Sequence, residues 1–480
     1  MEFEVSYSLD NEQQFWDELD DIVSAHCQTH ALIDNALRAY LSFTTNYKGE
    51  YLQSEYDIAR CSYKLLDSAL FVAHKDYVRR QIVYCLLQED AADTLHLIVS
   101  FLLYDGRQND ITFEMINEEG GFPRLLELIL CRKDDDAGLH RLLLELLYEM
   151  SRIQRIRTEE LALIADDFII YLFRIIEELS DDANDPYHYP VIRVLLVLNE
   201  QYMVSTHDPG PDQAPTAPLT NQVIKTLALH GSAYKTFGEN LILLLNRESE
   251  TSLQLLILKL LYLLFTTRST YEYFYTNDLR VLVDVMIRNL LDLPSDSTAL
   301  RHTYLRVLYP LLAHTQLQQA PHYKREELLK LLEMMTNARS AHFGAVDETT
   351  SRLVRRILRV PWLKDEEEDT EPGSGEIARR MLGADLLGME LGKARESTLS
   401  VVEVAAHKEK PGVQTPSREK DGIGHGIDEV ITHRTRGDGP IDHGTGSGVA
   451  LEPSGNGVTL GTNEHVLGDE KSPFEVEGEA

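Results

Sequence analysis

The sequence predicts an all-α protein: an armadillo- or HEAT-like superhelical solenoid of about five three-helix repeats, followed by a disordered tail. Two observations predict this fold. Apolar residues recur at the helical spacing i, i+3, i+4, i+7 in runs such as "LHRLLLELLYEM" and "DFIIYLFRIIEEL", whereas strand patterns are scarce. A short motif also repeats at intervals of about 47 residues. Helical repeats of that length bury their apolar faces by stacking on neighbouring repeats.

The repeated motif reads Leu, charge, apolar, Leu, Tyr, any residue, apolar. It occurs in "LELLYEM", "LKLLYLL" and "LRVLYPL", and "IRVLLVL" is a fourth copy that lacks the Tyr. Its charged position falls at Glu145, Arg193, Lys259 and Arg306, so the spacings are 48, 66 and 47 residues. The longest spacing contains the segment 205–218, "STHDPGPDQAPTAP", whose prolines predict an insertion loop. Without these 14 residues the spacing is 52, close to the period of about 47.

Three regions are predicted along the chain. Residues 1–90 form an N-terminal helical cap, residues 91–363 the solenoid, and residues 364–480 an acidic, glycine-rich tail. The tail holds 19 of the 28 glycines and a single aromatic residue, Phe474. It has too little apolar surface to offset the entropy of ordering, so we predict that it is disordered.

Within the solenoid, each unit is predicted to contain three helices. The clearest unit has "TYEYFYTND" as a short first helix, "LRVLVDVMIRNLL" as the second and "ALRHTYLRVLYPLLAH" as the third. The earlier unit "ITFEMINEEGGFPRLLELILCRKDDDAGLHRLLLELLYEM" repeats that order. The apolar stretches are therefore interpreted chiefly as solenoid core.

The net charge of −32 is unevenly distributed. Residues 364–480 carry 12 basic against 25 acidic side chains (−13), residues 224–363 carry 17 against 13 (+4), and the remaining −23 lies in residues 1–223. An acidic protein repels nucleic-acid phosphates, so nucleic acid is not an expected partner. Charged residues interrupt every apolar run before the 18 or so residues that a membrane span needs, so no membrane insertion is expected. A protein surface is the expected partner.

The sequence offers no motif for catalysis, a cofactor or a metal. Four cysteines form no CxxC pair and are predicted to be buried, reduced thiols. The pair His26 and His30 lacks the acidic residue of an HExxH site, and "GTGSG" lacks the Lys-Ser/Thr of a phosphate-binding loop. We therefore expect neither an enzyme nor a bound cofactor.

Candidate binding residues follow from the repeat. In a solenoid of three-helix units the third helices line a groove, and the charged motif position is predicted to stay out of the core. Reversal of charge at Lys259 and Arg306 is therefore predicted to weaken partner binding while leaving the melting temperature nearly unchanged. The predicted contacts to a partner helix are Glu145, Arg193, Lys259, His302 and Arg306.

Two tyrosines of the motif are predicted to be structural. Tyr262 and Tyr309 follow Lys259 and Arg306 by three residues and are expected to pack towards the neighbouring unit. Substitution of Tyr309 by Ala is predicted to cost about 3 kcal/mol or more.

The block from Ser252 to Leu317 resembles the leucine-rich domain of the WISH/DIP/SPIN family, most clearly in "TYEYFYTNDLRVLVDV" and "LRHTYLRVLYPLL". Its character extends over residues 1–335. The resemblance implies an armadillo-like protein that activates the Arp2/3 complex without a preformed filament and so seeds linear actin filaments. It also implies a location in the cytoplasm and cytoskeleton, at cortical endocytic actin patches. Animal members add an SH3 domain; this chain starts directly with helices, which favours a fungal-type member.

Further partners are implied less directly. The resemblance adds actin and SH3-containing or WASP-type patch proteins to the candidates. The "PTAP" sequence at Pro215–Pro218 suits an SH3-like module, although a plain insertion loop explains it better. The alternative function is an armadillo-type adaptor for a peptide cargo, which needs a ladder of Asn or Trp, and Trp occurs only at Trp16 and Trp362.

Overall fold

The computed structural model describes residues 9, 11–132, 136–179, 188–207, 219–336 and 347–364. The chain divides into two units, Met1–Glu419 and Lys420–Ala480, and every described residue belongs to the first. Across the described ranges the secondary structure consists of nineteen α-helices and four 3-10 turns, without a strand. The predicted all-α class is confirmed.

The helices are numbered in chain order. The first nine are α1 Glu12–Val23, α2 His30–Asn46, α3 Lys48–Tyr51, α4 Glu55–Leu66, α5 Ala69–Gln88, α6 Ala92–Gln108, α7 Ile111–Glu118, α8 Gly121–Cys131 and α9 Ala137–Ile153. The next five are α10 Thr158–Leu161, α11 Asp166–Leu179, α12 His188–His207, α13 Gln222–His230 and α14 Lys235–Arg247. The last five are α15 Thr251–Thr266, α16 Thr276–Asp292, α17 Thr298–His314, α18 Arg325–Thr336 and α19 Glu348–Ile357.

From α7 onward the elements recur in threes, as the period predicts. Each unit has a short first element followed by a second and a third helix; the third helices are α9, α12, α15, α17 and α19. Each third helix packs on the next, and α6 packs on α9 in the same way. The apolar faces of these helices form one continuous core. Solenoid stacking of about five units is therefore what the described residues show.

The short first helix predicted in "TYEYFYTND" is wrong. The structure has only a 3-10 turn, Arg268–Thr270, before α16 begins. The hydroxyl of Thr270 donates to the carbonyl of Leu264 (2.7 Å), and that of Tyr273 donates to the carbonyl of Tyr234 in the preceding unit (2.5 Å). These two bonds hold the segment in a tight turn, in which Tyr273 and Phe274 are buried and Tyr275 stays exposed.

The insertion loop begins later than predicted. Helix α12 continues to His207, so residues 205–207 of the predicted loop are helical. Residues 208–218, and the tail beyond Lys364, lie outside the described residues. The division between a cap (1–90) and a solenoid (91–363) stays a prediction.

Of the four thiols predicted to be buried, Cys27 and Cys61 are buried, Cys85 is half-buried and Cys131 is exposed. The expectation is thus wrong for Cys131, which ends α8 at the surface. None of the described helices combines the length and apolarity needed to cross a bilayer. In the same part of the chain, His, Cys, Asp and Glu side chains form no cluster that could hold a metal ion.

Candidate protein-binding surface on the third helices

The four charged motif positions lie on consecutive third helices but differ in exposure. Glu145 on α9 and Arg193 on α12 are half-buried, whereas Lys259 on α15 is 1% exposed and Arg306 on α17 is 8% exposed. The predicted exposure of Lys259 and Arg306 is therefore wrong. The helices α15 and α17 are covered more completely by their neighbours than the motif alone indicates.

The buried ammonium of Lys259 is stabilised by an acidic partner within the array. Its ammonium lies 2.5 Å from Oε1 of Glu200 on α12, and Glu200 is itself only 6% exposed. A charge so far from water is tolerated only when it is paired and hydrogen-bonded. The sequence signal that was missed is the acidic residue Glu200 in the C-terminal half of the preceding third helix, opposite the lysine.

Glu145 and Arg193 link neighbouring helices at the surface. Glu145 accepts hydrogen bonds from Arg107 of α6 (2.8 Å) and from Arg141 one turn earlier on α9 (3.0 Å). The guanidinium of Arg193 lies 3.9 Å from the ring centroid of Tyr189 and 5.4 Å from that of Tyr148 on α9. Both sites present half-buried, pre-positioned groups to solvent.

His302 takes part in a contact that occurs twice in the fold. Its Nε2 lies 3.1 Å from Oδ1 of Asp347, the N-cap of α19, just as Nδ1 of His96 on α6 lies 3.0 Å from Oδ2 of Asp136, the N-cap of α9. Each histidine is the fifth residue of its helix. Each therefore ties one helix to the start of the next in the row.

The acid–base properties of this pair follow from burial and hydrogen bonding. Burial by itself raises the pKa of Asp347, but the hydrogen bonds from Thr350 and His302 outweigh it and lower that pKa to about 2. Burial is the main reason that the pKa of His302 is lowered, and the Arg306 charge adds to the effect, against the opposing influence of Asp347. At neutral pH the pair is a carboxylate with a neutral imidazole.

Tyr309 differs from its motif equivalent Tyr262. Tyr262 is 1% exposed, whereas Tyr309 is half-buried and lies beneath Arg356 of α19, whose guanidinium carbon is 4.4 Å from the ring centroid. Tyr309 does pack towards the neighbouring unit, but at the surface rather than in the core. Arg356 was not among the predicted contacts. Its helical spacing from Arg352, Arg355 and Arg359 could have indicated a basic face on α19.

We define the third-helix face by five half-buried side chains on the third helices. Its members are Glu145, Arg193, His302, Tyr309 and Arg356. Its charged members run from Glu145 at α9, which is paired with Arg107 and Arg141, to the basic Arg356 at α19. The face also contains Arg and Tyr, which are enriched at the energetic centres of protein interfaces. Such a row suits the side of a partner helix better than a small molecule.

This chain is similar to one family model and to several fungal proteins. The family model described as "SPIN90/Ldb17, leucine-rich domain" matches residues 184–328. Protein dip1 of Schizosaccharomyces pombe is 32% identical over 372 residues, 76% of this chain and 98% of that protein. Protein LDB17 of Eremothecium gossypii is 30% identical over 67% of this chain and 74% of its own length. Protein LDB17 of Saccharomyces cerevisiae is 28% identical over 77% of this chain and 84% of its own length.

Proposed function

Since this chain belongs to the family of the SPIN90/Ldb17 leucine-rich domain, we propose that it is a non-enzymatic actin regulator that binds and activates the Arp2/3 complex without a preformed filament. It would thereby seed linear filaments at cortical endocytic actin patches. The observation that carries the proposal is the alignment over 98% of protein dip1, so that nearly the whole length of a family member is shared. The resemblance of "TYEYFYTNDLRVLVDV" to the family's leucine-rich domain points the same way.

The third-helix face is the surface that we assign to the partner. A helix of the Arp2/3 complex lying across α9, α12, α15, α17 and α19 would meet Glu145 at one end and Arg356 at the other. The basic end calls for an acidic or mixed partner surface. Lys259 and Arg306 are both buried, so we do not assign them to the partner contact; Lys259 instead pairs with Glu200 of α12.

The experiment is pyrenyl-actin assembly with purified Arp2/3 complex, without filament seeds and without any other activator. We expect the full-length protein to shorten the lag in a concentration-dependent manner, with unbranched filaments under the fluorescence microscope. An unchanged lag at saturating protein would contradict the proposal. A protein that binds the complex or a peptide but leaves the lag unchanged would instead favour the adaptor function.

A variant pair tests the surface. Tyr309→Ala with Arg356→Glu removes an anchoring ring and reverses the basic end of the third-helix face. We expect about tenfold weaker binding to the Arp2/3 complex, which is about 1.4 kcal/mol. The matched control is Lys75→Glu, an exposed charge reversal on α5 away from the third helices. Equal loss in both variants would place the contact elsewhere.

A further inference from the structure

The last helix of the array carries a stripe of arginines. Arg352, Arg355, Arg356 and Arg359 follow the spacing i, i+3, i+4, i+7 and so lie on one side of α19 and its C-terminal turn. The residues on the opposite side, Leu353, Val354 and Ile357, are buried against the array. We call these four residues the arginine stripe.

The stripe is open to solvent. Arg355 and Arg359 are exposed, and Arg356 lies half-buried over Tyr309. The Nε of Arg355 donates to the carbonyl of Ser351 in its own helix (3.2 Å). Among the described residues, no carboxylate lies within ion-pair distance of Arg355, Arg356 or Arg359. Their charges are thus available to an anion from elsewhere.

The chain leaves the described array beside this stripe. The turn Pro361–Leu363 is separated from the end of α19 by three residues, and the indole of Trp362 donates to the carbonyl of Leu312 on α17 (3.0 Å). Arg325 of α18 donates to the carbonyls of Leu363 (3.1 Å) and Lys364 (3.0 Å). The exit point is therefore fixed against the same unit that carries the arginines.

The sequence that follows the exit is complementary in charge. Residues 365–371 read "DEEEDTE", with six carboxylates in seven positions. The stripe from Arg352 to Arg359 is about 10 Å long, since a helix rises about 1.5 Å per residue. An extended chain covers roughly 3.3–3.6 Å per residue, so residues 365–371 are long enough to lie along the whole stripe.

We propose that the arginine stripe is a docking surface for acidic protein segments, and that residues 365–371 of this same chain occupy it in the free protein. Because Arg356 also belongs to the third-helix face, the acidic segment covers the basic end of that face and competes there with a partner. Competition with the Arp2/3 complex for this end of the face rests on the proposed function. The intramolecular contact does not.

The contact can be mapped by zero-length carbodiimide cross-linking of the full-length chain with Arg355→Lys and Arg359→Lys, which keep the charge and add reactive amines. We expect mass spectrometry to find amides between these positions and carboxylates of residues 365–371 at 50 mM salt. Their yield should fall about tenfold at 500 mM salt, because screening weakens exposed ion pairs. Lys75, exposed on α5, is the internal control. The proposed contact would be overturned if Lys75 were linked to residues 365–371 as often as positions 355 and 359 are. It would also be overturned if salt did not alter the yield of the cross-links from positions 355 and 359.

Competition is measured with a fluorescein-labelled octaglutamate peptide and fluorescence anisotropy at low salt. The full-length variant E366Q/E367Q/E368Q should bind this peptide about tenfold more tightly than the unaltered chain, because the internal competitor is weakened. Adding R355E and R359E should abolish the gain. If the unaltered chain and the E366Q/E367Q/E368Q variant bound the peptide equally tightly, residues 365–371 would not occupy the arginine stripe. Both assays omit the Arp2/3 complex, so their failure is distinct from a failure of the proposed function.

Discussion

The ammonium of Lys259 lies 2.5 Å from the carboxylate of Glu200, and the pair is enclosed between the third helices α12 and α15. The two residues are 59 positions apart in the chain. The contact therefore fixes how one unit of the solenoid sits on the next. It also explains why a residue that the motif places on a surface is removed from water.

Replacing Lys259 by Met should destabilise the protein strongly. The change leaves the Glu200 carboxylate buried without its partner, which typically costs about 3–5 kcal/mol. Urea unfolding of the full-length chain, followed by circular dichroism, measures the loss. The control is Lys225→Met, which removes a solvent-exposed ion pair with Asp166 and should cost about 1 kcal/mol or less. The buried pair would be unimportant if both variants lost the same stability.

The two motif tyrosines should differ in the stability that they provide. Tyr262→Ala empties a fully buried site and should cost about 3–5 kcal/mol. Tyr309→Ala should cost less, since half-buried Tyr309 leaves a smaller cavity and loses mainly the stack with Arg356. Melting temperatures of the two variants, compared side by side, decide the order. The reverse order would show that Tyr309 is a core residue after all.

Stability should fall as the pH drops below about 6.5, in part through His96. Burial, and then the Lys48 charge, lower the pKa of His96 against the opposing influence of Asp136 and Glu55. The folded protein therefore favours neutral imidazole, while the unfolded chain takes up a proton near pH 6.5. His96 thus contributes stability above that pH and loses it as the pH falls through its lowered folded-state pKa.

His96→Gln, which keeps a donor for Asp136, should flatten the fall in melting temperature between pH 7 and pH 5. His26→Gln is the control, since His26 is exposed. If the melting temperature of the His96 variant fell between pH 7 and pH 5 as steeply as that of the unaltered protein, His96 would not be a source of the pH dependence.

Gly106 on α6 has a packing role that its helix position does not reveal. A Cβ at this position would collide with the ring of Phe113 on α7, which is 1% exposed. Gly106→Ala should therefore destabilise the protein by about 1–3 kcal/mol, even though Ala favours helices. Gly49→Ala on α3, where nothing lies within 4 Å of the new Cβ, should be neutral or slightly stabilising. Equal melting temperatures for both variants would argue against this close approach.

The all-α class and the stacking of units were predictable, because helical periodicity is a local pattern and the motif recurs along the chain at a regular interval. The motif at Glu145, Arg193, Lys259 and Arg306 correctly marks equivalent places on third helices. It does not reveal exposure, because burial depends on what the next unit places opposite. The Glu200 carboxylate, for example, is 59 residues away from its partner.

The candidate surface was predicted only in part for the same reason. Glu145, Arg193 and His302 lie on the accessible row, but each is already engaged by residues from a neighbouring helix. Arg356 was missed because the arginine spacing on α19 falls outside the repeated motif. Binding by any of these residues stays a prediction.

The paired contacts His96–Asp136 and His302–Asp347 have a consequence for how the array melts. In each pair one carboxylate caps the start of a helix and also binds the preceding helix of the row. Loss of either carboxylate contact should therefore weaken the helix start and its docking together. The ends of such an array should open in whole-unit steps, with amide hydrogens of α19 exchanging together rather than fraying one residue at a time.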